Sequence, residues 1–280
     1  MIFKITARTK LMQCTKCSKR AVIFRRYEGR ALCRKHFFDS VDRTVRKTIR
    51  LEKQIPRGIH VAVGIYGDGD SALLLYLLCK LSKKRDDLKI SAIVVDEGIR
   101  GYSRKVLMFA KNIAESAGVA LYPVSYRDIF GMTLDEFVCK PKGRDVDACE
   151  VCLSLRRIAL GKKADEIGAD RVALPVNVDD EVQEIVSGYF CDGGNVCDVM
   201  GQFVQKKMPV MQIIKPLSKV LGKEAALYAK LKGLSVVSVE CPYASGSVRW
   251  KIRGVLDKLD ERHPGVKFNV FKGYSNLVNG

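Results

Sequence analysis

The chain contains no apolar run approaching 18 residues, so no segment is long enough to be a transmembrane helix and no membrane partner is expected. Met1-Ile2-Phe3-Lys4 is not followed by an apolar stretch and a cleavage site, which argues against secretion. Proline is scarce, at 8 of 280 residues, and there is no low-complexity tract and no internal repeat. These absences exclude disordered, fibrous and solenoid classes and leave one main globular domain plus a small module. Ten cysteines in a chain with a cytoplasmic character favour metal and catalytic thiols over disulfides.

Acidic residues are also in short supply, 31 against 49 Lys and Arg, for a net charge of +18. The shortage is uneven. Residues 1–58 hold 17 Lys/Arg and 4 Asp/Glu, residues 59–240 hold 25 and 24, and residues 241–280 hold 7 and 3. A neutral middle between two basic ends points to a polyanion as partner, nucleic acid above all. The plainer reading is a soluble protein that happens to be positive.

Residues 1–38 are basic, short and Cys-punctuated, too small to bury a core. A metal would have to supply their folding energy. Residues 39–58 carry Val41, Val45 and Ile49 at helical spacing and end at Pro56 and Gly58, which predicts a linker helix. From 59 to 240 strands alternate with helices. The strands are Ile59–Ile65, Ile90–Val95, Ala120–Val124, Arg171–Val176, Met211–Ile214 and Val236–Val239. The helices are Ser71–Lys84, Ser103–Ala117, 150–167, Asp179–Tyr189 and Leu217–Lys232. Residues 241–280 form a C-terminal helical extension, with a helix over 247–262 stopped by Pro264. Val/Ile-rich strands in such alternation predict an α/β fold, a doubly wound and mostly parallel sheet, with ligands at the carboxyl ends of the strands.

The first strand runs into Gly64-Ile65-Tyr66-Gly67-Asp68-Gly69-Asp70-Ser71. The glycines allow positive φ and close approach of backbone N–H groups to a phosphate, and the following helix points its positive end the same way. A Walker A loop is absent, as is the dinucleotide fingerprint. By itself the segment reads equally well as a tight strand-to-helix turn. Asp96, at the end of a strand, is either a ligand-edge carboxylate or a turn residue.

Cys14-x2-Cys17 and Cys33-x2-His36 pair four soft ligands in two close turns, which suits a closed tetrahedral Zn²⁺ site. Arg20, Arg25, Arg26, Arg30, Arg34 and Lys35 surround them and predict a phosphate-facing surface. Cys149-x2-Cys152 just precedes a helix, where the dipole lowers thiol pKa. A cluster, a disulfide and a structural zinc site all fit that pair. Cys79 lies in a Leu run and reads as core, while Cys139, Cys191 and Cys197 have no informative spacing. Asp70, Asp179 and Glu181 are carboxylates suited to Mg²⁺ near a triphosphate. Asp179 to Glu181 equally suit the cap and first turn of a helix. Arg156 and Arg157 are a phosphate clamp or a solvated helix face.

Taken in order, these motifs resemble the tRNA 2-thiouridine synthetase group of the PP-loop ATP pyrophosphatases, whose loop reads Ser-Gly-Gly-x-Asp-Ser. Cys14, Cys17, Cys33 and His36 match its N-terminal zinc module, and Asp70-Ser71 the end of its loop. Gly98-Ile99-Arg100-Gly101-Tyr102-Ser103 matches the segment after its second strand, and Ala148-Cys149-Glu150-Val151-Cys152 its Cys pair. Asn177-Val178-Asp179-Asp180-Glu181 matches its Asn-x-Asp-Asp-Glu motif, and Glu240-Cys241-Pro242-Tyr243-Ala244 its third Cys. The departures are four. Gly64-Ile65-Tyr66-Gly67 stands for Ser-Gly-Gly with two extra residues, Val176 replaces a His, Arg156 replaces a Lys, and a second zinc module is missing at the C-terminal side.

The resemblance implies a PP-loop, adenine nucleotide alpha hydrolase-like fold. It implies a [4Fe-4S] cluster on Cys149, Cys152 and Cys241 with one iron open for sulfide, and Zn²⁺ on Cys14, Cys17, Cys33 and His36. ATP and Mg²⁺ are expected at Gly64, Gly67, Gly69, Asp70, Ser71 and Asp96, and catalytic roles at Asp70, Asp179 and Arg156. The implied activity is ATP-dependent adenylation and thiolation of a tRNA uridine at C2. The implied partners are tRNA, a ubiquitin-like sulfur carrier and a second copy in a homodimer, in the cytoplasm. The alternative is a degenerate paralogue that binds tRNA or a partner without catalysis. A third possibility is another PP-loop reaction, such as C2 thiolation of cytidine.

Overall fold

The computed structural model describes residues 12–139, 147–190, 211–235 and 240–279. The strand expected at Val236–Val239, and Cys191 and Cys197, lie outside the described residues.

The N-terminal module is a small hairpin, β1 (Ile23–Arg25) paired antiparallel with β2 (Arg30–Leu32). Cys33 then serves as N-cap of α1 (Arg34–Leu51). The connecting helix expected from 39 thus starts at 34, because the Cys33-x2-His36 pair is itself a first helical turn. Phe37, Val41, Val45 and Thr48 form its buried stripe.

The larger sheet has five parallel strands in the order β5-β4-β3-β6-β7. They are β3 (Ile59–Ile65), β4 (Leu88–Asp96), β5 (Leu121–Ser125), β6 (Arg171–Ala173) and β7 (Gln212–Ile214). All seven residues of β3 are buried, so helices cover both faces, and its uninterrupted apolar run is explained. The helices are α2 (Gly69–Ser82), α3 (Ser103–Ala117), the short α4 (Tyr126–Phe130) and α5 (Leu134–Cys139), α6 (Ala148–Glu166), α7 (Val178–Phe190) and α8 (Gly222–Lys232). The chain winds from β3 through β4 to β5, then crosses to β6 and β7 on the other side. The crevice beyond the carboxyl ends of β3 and β6 is therefore the switch point where ligands bind in such sheets.

Two C-terminal helices close the molecule, α9 (Val248–Arg262) and α10 (Val266–Asn279). Pro264-Gly265 turns the chain between them rather than ending it, with the Gly265 N–H donated to Asp260. Both pack on α7, beside the switch point.

β3 runs through Ile65, and this corrects the reading of two extra loop residues. Gly64 lies inside the strand opposite Ile93, where a Cβ would meet Leu160 Cδ1 at 3.3 Å. It is a packing glycine rather than part of the turn. The loop proper is Tyr66-Gly67-Asp68-Gly69-Asp70-Ser71, six residues, the same length as Ser-Gly-Gly-x-Asp-Ser. Aligned one for one, Tyr66 takes the place of the serine and Asp68 that of the second glycine.

Candidate functional site

The four ligand atoms of Cys14, Cys17, Cys33 and His36 all lie within 4.8 Å of one another, the one such group among the described residues. Cys14 Sγ is 3.3 Å from His36 Nδ1, Cys33 Sγ 3.5 Å from the same nitrogen, and Cys17 Sγ 3.7 Å from Cys33 Sγ. Burial raises the Cys14 thiol, but hydrogen bonds from the Cys33 and Lys16 backbone and from His36 outweigh it and bring the pKa down to about 6. Four converging soft donors with no fifth group suit one tetrahedrally held ion. Arg20, Arg26, Arg30, Arg34 and Lys35 are exposed around it, as expected for a phosphate-facing surface. Arg25 is not among them. It is buried and pairs with Glu224 of α8 at 2.6 Å, while Tyr27 donates to the other Glu224 oxygen at 2.6 Å, tying the hairpin to the α/β domain.

At the end of β3 the chain turns sharply. Gly67 has φ +87°, and a Cβ there would meet Val106 at 2.9 Å, so only glycine fits. Asp68 is the N-cap of α2: its Oδ1 accepts the Ser71 N–H at 2.8 Å and the Ser71 hydroxyl at 2.5 Å. Ser71 Oγ in turn accepts the Tyr66 N–H at 2.9 Å. Ser71 is fully buried. Asp96 ends β4 and caps its own turn, accepting the Gly98 N–H at 2.8 Å.

Asp70 reaches across the switch point. One oxygen accepts from Asn177 Nδ2 at 3.0 Å, and the other is buried without a partner. Burial, then Asp68 and Asp180, push its carboxyl well above the usual range. Asn177, fully buried ahead of α7, also accepts the N–H groups of Asp179 and Asp180 at 2.8 and 3.2 Å. The two aspartates then diverge. Asp179 points inward, bonded to the Gly222 N–H at 2.5 Å and paired with the buried Lys267 of α10. Asp180 faces Asp70 and Asp68, 3.4 Å from Arg253, and burial lifts its carboxyl to about 6. Adjacent in sequence, the two aspartates thus have different partners, and Asp180 is the one whose charge acts on Asp70. Glu181 is paired with Lys215 at 2.9 Å.

Cys149 and Cys152 sit in the first turns of α6 rather than ahead of it. Cys241 lies in the turn before α9, close enough that Cys241 and Cys149, and Cys152 and Cys241, feel each other's charge. Burial pushes all three thiols up, more than their hydrogen bonds and the nearby Arg156 and Arg249 bring them down. Asp147 holds the segments together: Oδ1 accepts the Cys149 N–H at 2.8 Å and Oδ2 the Val248 N–H at 3.0 Å. No spacing rule singled out this residue. The three thiols come from two segments, and unlike the first four ligands they do not form a metal-type group among the described residues. Cys79 is buried core as expected, and Cys139 is exposed.

Arg156 joins the thiols to the loop. Its Nη2 donates to Cys152 Sγ at 3.6 Å and to Glu97 at 2.7 Å, and its guanidinium lies 4.6 Å from the centroid of the Tyr66 ring. Burial raises the Tyr66 hydroxyl to about 12. Arg157 is exposed and paired with Glu184. Arg156, read from sequence as a phosphate clamp or part of a solvated helix face, is mostly buried and engaged by buried Glu97.

Comparison with known proteins follows the same outline. Residues 13–38 match the family model described as 2-thiouridine synthetase TtuA, N-terminal LIM domain. The tRNA 2-thiolation protein NcsA of Haloferax volcanii is 34% identical over 95% of this chain and 87% of that protein. The tRNA-5-methyluridine(54) 2-sulfurtransferase of Pyrococcus horikoshii is 32% identical over 94% and 82%. Among solved structures, the U34-tRNA thiolase NcsA from Methanococcus maripaludis with its [4Fe-4S] cluster matches with a TM-score of 0.81 at 30% identity, over 96% of this chain and 87% of that one. An NMN synthetase from Francisella tularensis matches at 15% identity and TM-score 0.50, over 79% and 86%, and shares the fold alone. Fold, motif order and full-length relatives agree: the chain belongs to the tRNA 2-thiolation family of PP-loop sulfurtransferases.

Proposed function

We propose that this protein is an ATP-dependent tRNA sulfurtransferase that replaces the C2 oxygen of a uridine with sulfur. The observation that carries the reading is the chain of contacts from Cys152 through Arg156 to Tyr66, which sets the three-cysteine site against the loop at the carboxyl end of the sheet. Two half-reactions need to share one substrate atom, and this arrangement brings their sites together. Retention of Asp70, Ser71, Asn177 and the three cysteines disfavours the alternative of a catalytically silent binding protein.

In the first half-reaction the uridine O2 attacks the α-phosphorus of ATP. An O–P bond forms, the bond to the β-phosphoryl bridge breaks, and pyrophosphate leaves. AMP converts a poor leaving group into a good one. The loop and the N-terminus of α2 receive the departing phosphates. Asp70 and Asp180 supply hard oxygen donors for Mg²⁺, and the unpartnered Asp70 oxygen fits that role. Asn177 holds both carboxylates in place by bonding Asp70 with its amide and the Asp180 N–H with its carbonyl. In the second half-reaction sulfur takes the place of AMP at C2. Cys149, Cys152 and Cys241 would hold a [4Fe-4S] cluster, which when bound supplies the sulfide. Arg156 keeps positive charge beside Cys152, where it stabilises the thiolate.

Cys14, Cys17, Cys33 and His36 would hold structural Zn²⁺, and the exposed Arg and Lys around them contact tRNA phosphates. The target nucleotide must leave the stack to reach the crevice. A homodimer, a ubiquitin-like sulfur carrier and a cytoplasmic location complete the reading, with the division into zinc module, connecting helix, α/β domain and C-terminal helices.

Anaerobically prepared, cluster-loaded protein is expected to convert unmodified tRNA to a 2-thiouridine product with Mg-ATP and sulfide, releasing AMP and pyrophosphate. Cys241→Ala should lose iron and thiolation. Asp70→Ala should lose pyrophosphate release. A folded, cluster-loaded protein that binds tRNA but neither binds ATP nor makes thiouridine would return the reading to a binding protein.

A further inference from the structure

The loop of this chain has an unusual feature for a phosphate cradle: three of its donors, all at the Ser71 end, are already used. Ser71 N–H and Ser71 Oγ both donate to Asp68 Oδ1, at 2.8 and 2.5 Å, and the Tyr66 N–H donates to Ser71 Oγ at 2.9 Å. A helix start attracts a phosphate because its first N–H groups are unsatisfied and its dipole is positive. Here a carboxylate from inside the loop occupies the Ser71 N–H and sets its own negative charge against the dipole. In the six-residue alignment its position is that of a glycine, which has no side chain to do so.

The neighbouring charges do not compensate. Asp68 stands near Asp70 and Asp180, so three carboxylates share the site. Three of the nearby cations are already matched: Arg156 to Glu97 at 2.7 Å, Arg253 to Asp180 at 3.4 Å, Lys215 to Glu181 at 2.9 Å. An incoming triphosphate meets negative charge at the helix start and must move the Asp68 side chain off Ser71 to use that N–H.

We infer that Asp68 is an affinity-determining residue for the phosphates of the nucleotide: it acts as an internal competitor for the N-terminus of α2, weakening phosphate binding. The inference rests on the reading of this loop as the ATP site. It makes ATP binding depend on an event that pulls Asp68 away, and it confines the effect to the phosphates, leaving the nucleoside untouched.

The test is calorimetry of Mg-ATP, Mg-pyrophosphate and adenosine with the cluster-loaded, zinc-loaded protein and its Asp68→Gly and Asp68→Asn variants. Asp68→Asn keeps the N-cap, since Asn caps helices as well as Asp does, so folding is preserved even where Asp68→Gly fails. The expected result is Mg-ATP and Mg-pyrophosphate binding tighter by about tenfold or more in Asp68→Gly and by a smaller factor in Asp68→Asn, which loses the charge but keeps the Ser71 N–H occupied, with adenosine unchanged. Unchanged or weaker binding of Mg-pyrophosphate in Asp68→Asn would overturn the inference, and weaker binding would assign Asp68 to the metal instead. An equal gain for adenosine would also overturn it. Thiolation is scored separately: tighter phosphate binding without thiouridine would leave this inference standing and sink the sulfurtransferase reading, and thiolation by the wild type with no gain in the variants would do the reverse.

Discussion

Asp147 and Val248 are 101 positions apart in the chain, yet the side chain of one caps the helix begun by the other. Asp147 Oδ2 accepts the Val248 N–H at 3.0 Å while Oδ1 accepts the Cys149 N–H at 2.8 Å. A single carboxylate thus fixes the start of α6, which carries Cys149 and Cys152, against the start of α9, which follows Cys241. The three proposed cluster ligands come from these two segments, so their spacing depends on this clamp.

Asp147→Ala should therefore loosen the cysteine site without touching the zinc module. Each lost cap costs about 1 kcal/mol locally. The expected outcome is a lower iron content after reconstitution and faster loss of cluster absorbance in air, with zinc content equal to the wild type. Wild-type iron stoichiometry and bleaching rate in Asp147→Ala would mean that the clamp has no part in holding the site.

Asp179 and Asp180, adjacent in sequence, should respond in opposite ways to neutralisation. Asp180 carries a carboxyl raised to about 6 by burial, against about 3.9 in an unfolded chain. A raised carboxyl binds its proton more tightly in the fold, so stability falls as pH rises from about 4 to about 6 and stays lower above that. Asp180→Asn, in nucleotide-free protein without added magnesium, should melt about 2–4 °C higher at pH 7 and show no gain near pH 4. The same variant should lose pyrophosphate release. A melting point lowered at pH 7 would contradict the placement of Asp180 beside Asp70 and Asp68.

Asp179→Ala should instead destabilise at every pH where Lys267 is charged. Lys267 is buried, held by Asp179 and, at 2.5 Å, by Asp257, and Asp179 also receives the Gly222 N–H. Removing one partner of a buried pair costs about 3–5 kcal/mol, and because Asp257 still meets Lys267 the loss should fall at or below the lower end of that range. Lys267→Met should weaken the docking of α10 on α7 for the same reason. Denaturant midpoints within error of the wild type in both variants would show the pair to be dispensable.

What was legible in the sequence follows from the range of each signal. The two pairs Cys14/Cys17 and Cys33/His36 could be read because ligand spacing is local and a metal needs all four donors. The strand Ile59–Ile65 could be read because a doubly buried parallel strand is apolar at every position. Gly64 misplaced the loop's start, since glycine marks both a turn and a tight packing contact, and only the contact with Leu160 decides which. The different partners of Asp179 and Asp180 could not be read, because neighbours on a helix differ by about 100° in direction and nothing in Asn-x-Asp-Asp-Glu says which way each points. Asp147 and Lys267 gave no signal, because each acts on a residue far along the chain. Pro264-Gly265 hid α10 by looking like an end when it is a corner.

Arg156 carries the last prediction, because it meets three groups with different demands. Glu97, almost fully buried, needs a cation within reach; Cys152 gains from a nearby positive charge; and Tyr66 offers a ring face. A lysine satisfies the first two demands as a point charge and loses most of the flat stacking that a guanidinium makes. A methionine satisfies none and leaves the buried Glu97 charge with only the long Ser103 hydroxyl contact, at a cost of about 3 kcal/mol. Arg156→Lys should therefore keep the melting point and cluster content near the wild type while changing the catalytic rate, since the loop loses its stacked support. Arg156→Met should lower the melting point and raise the thiol pKa of Cys152, read as slower cluster assembly whose rate recovers at higher pH. Equal behaviour of Lys and Met variants in melting and in assembly would show that the Glu97 pair and the Cys152 contact contribute nothing, and that stacking on Tyr66 is the whole of what Arg156 does.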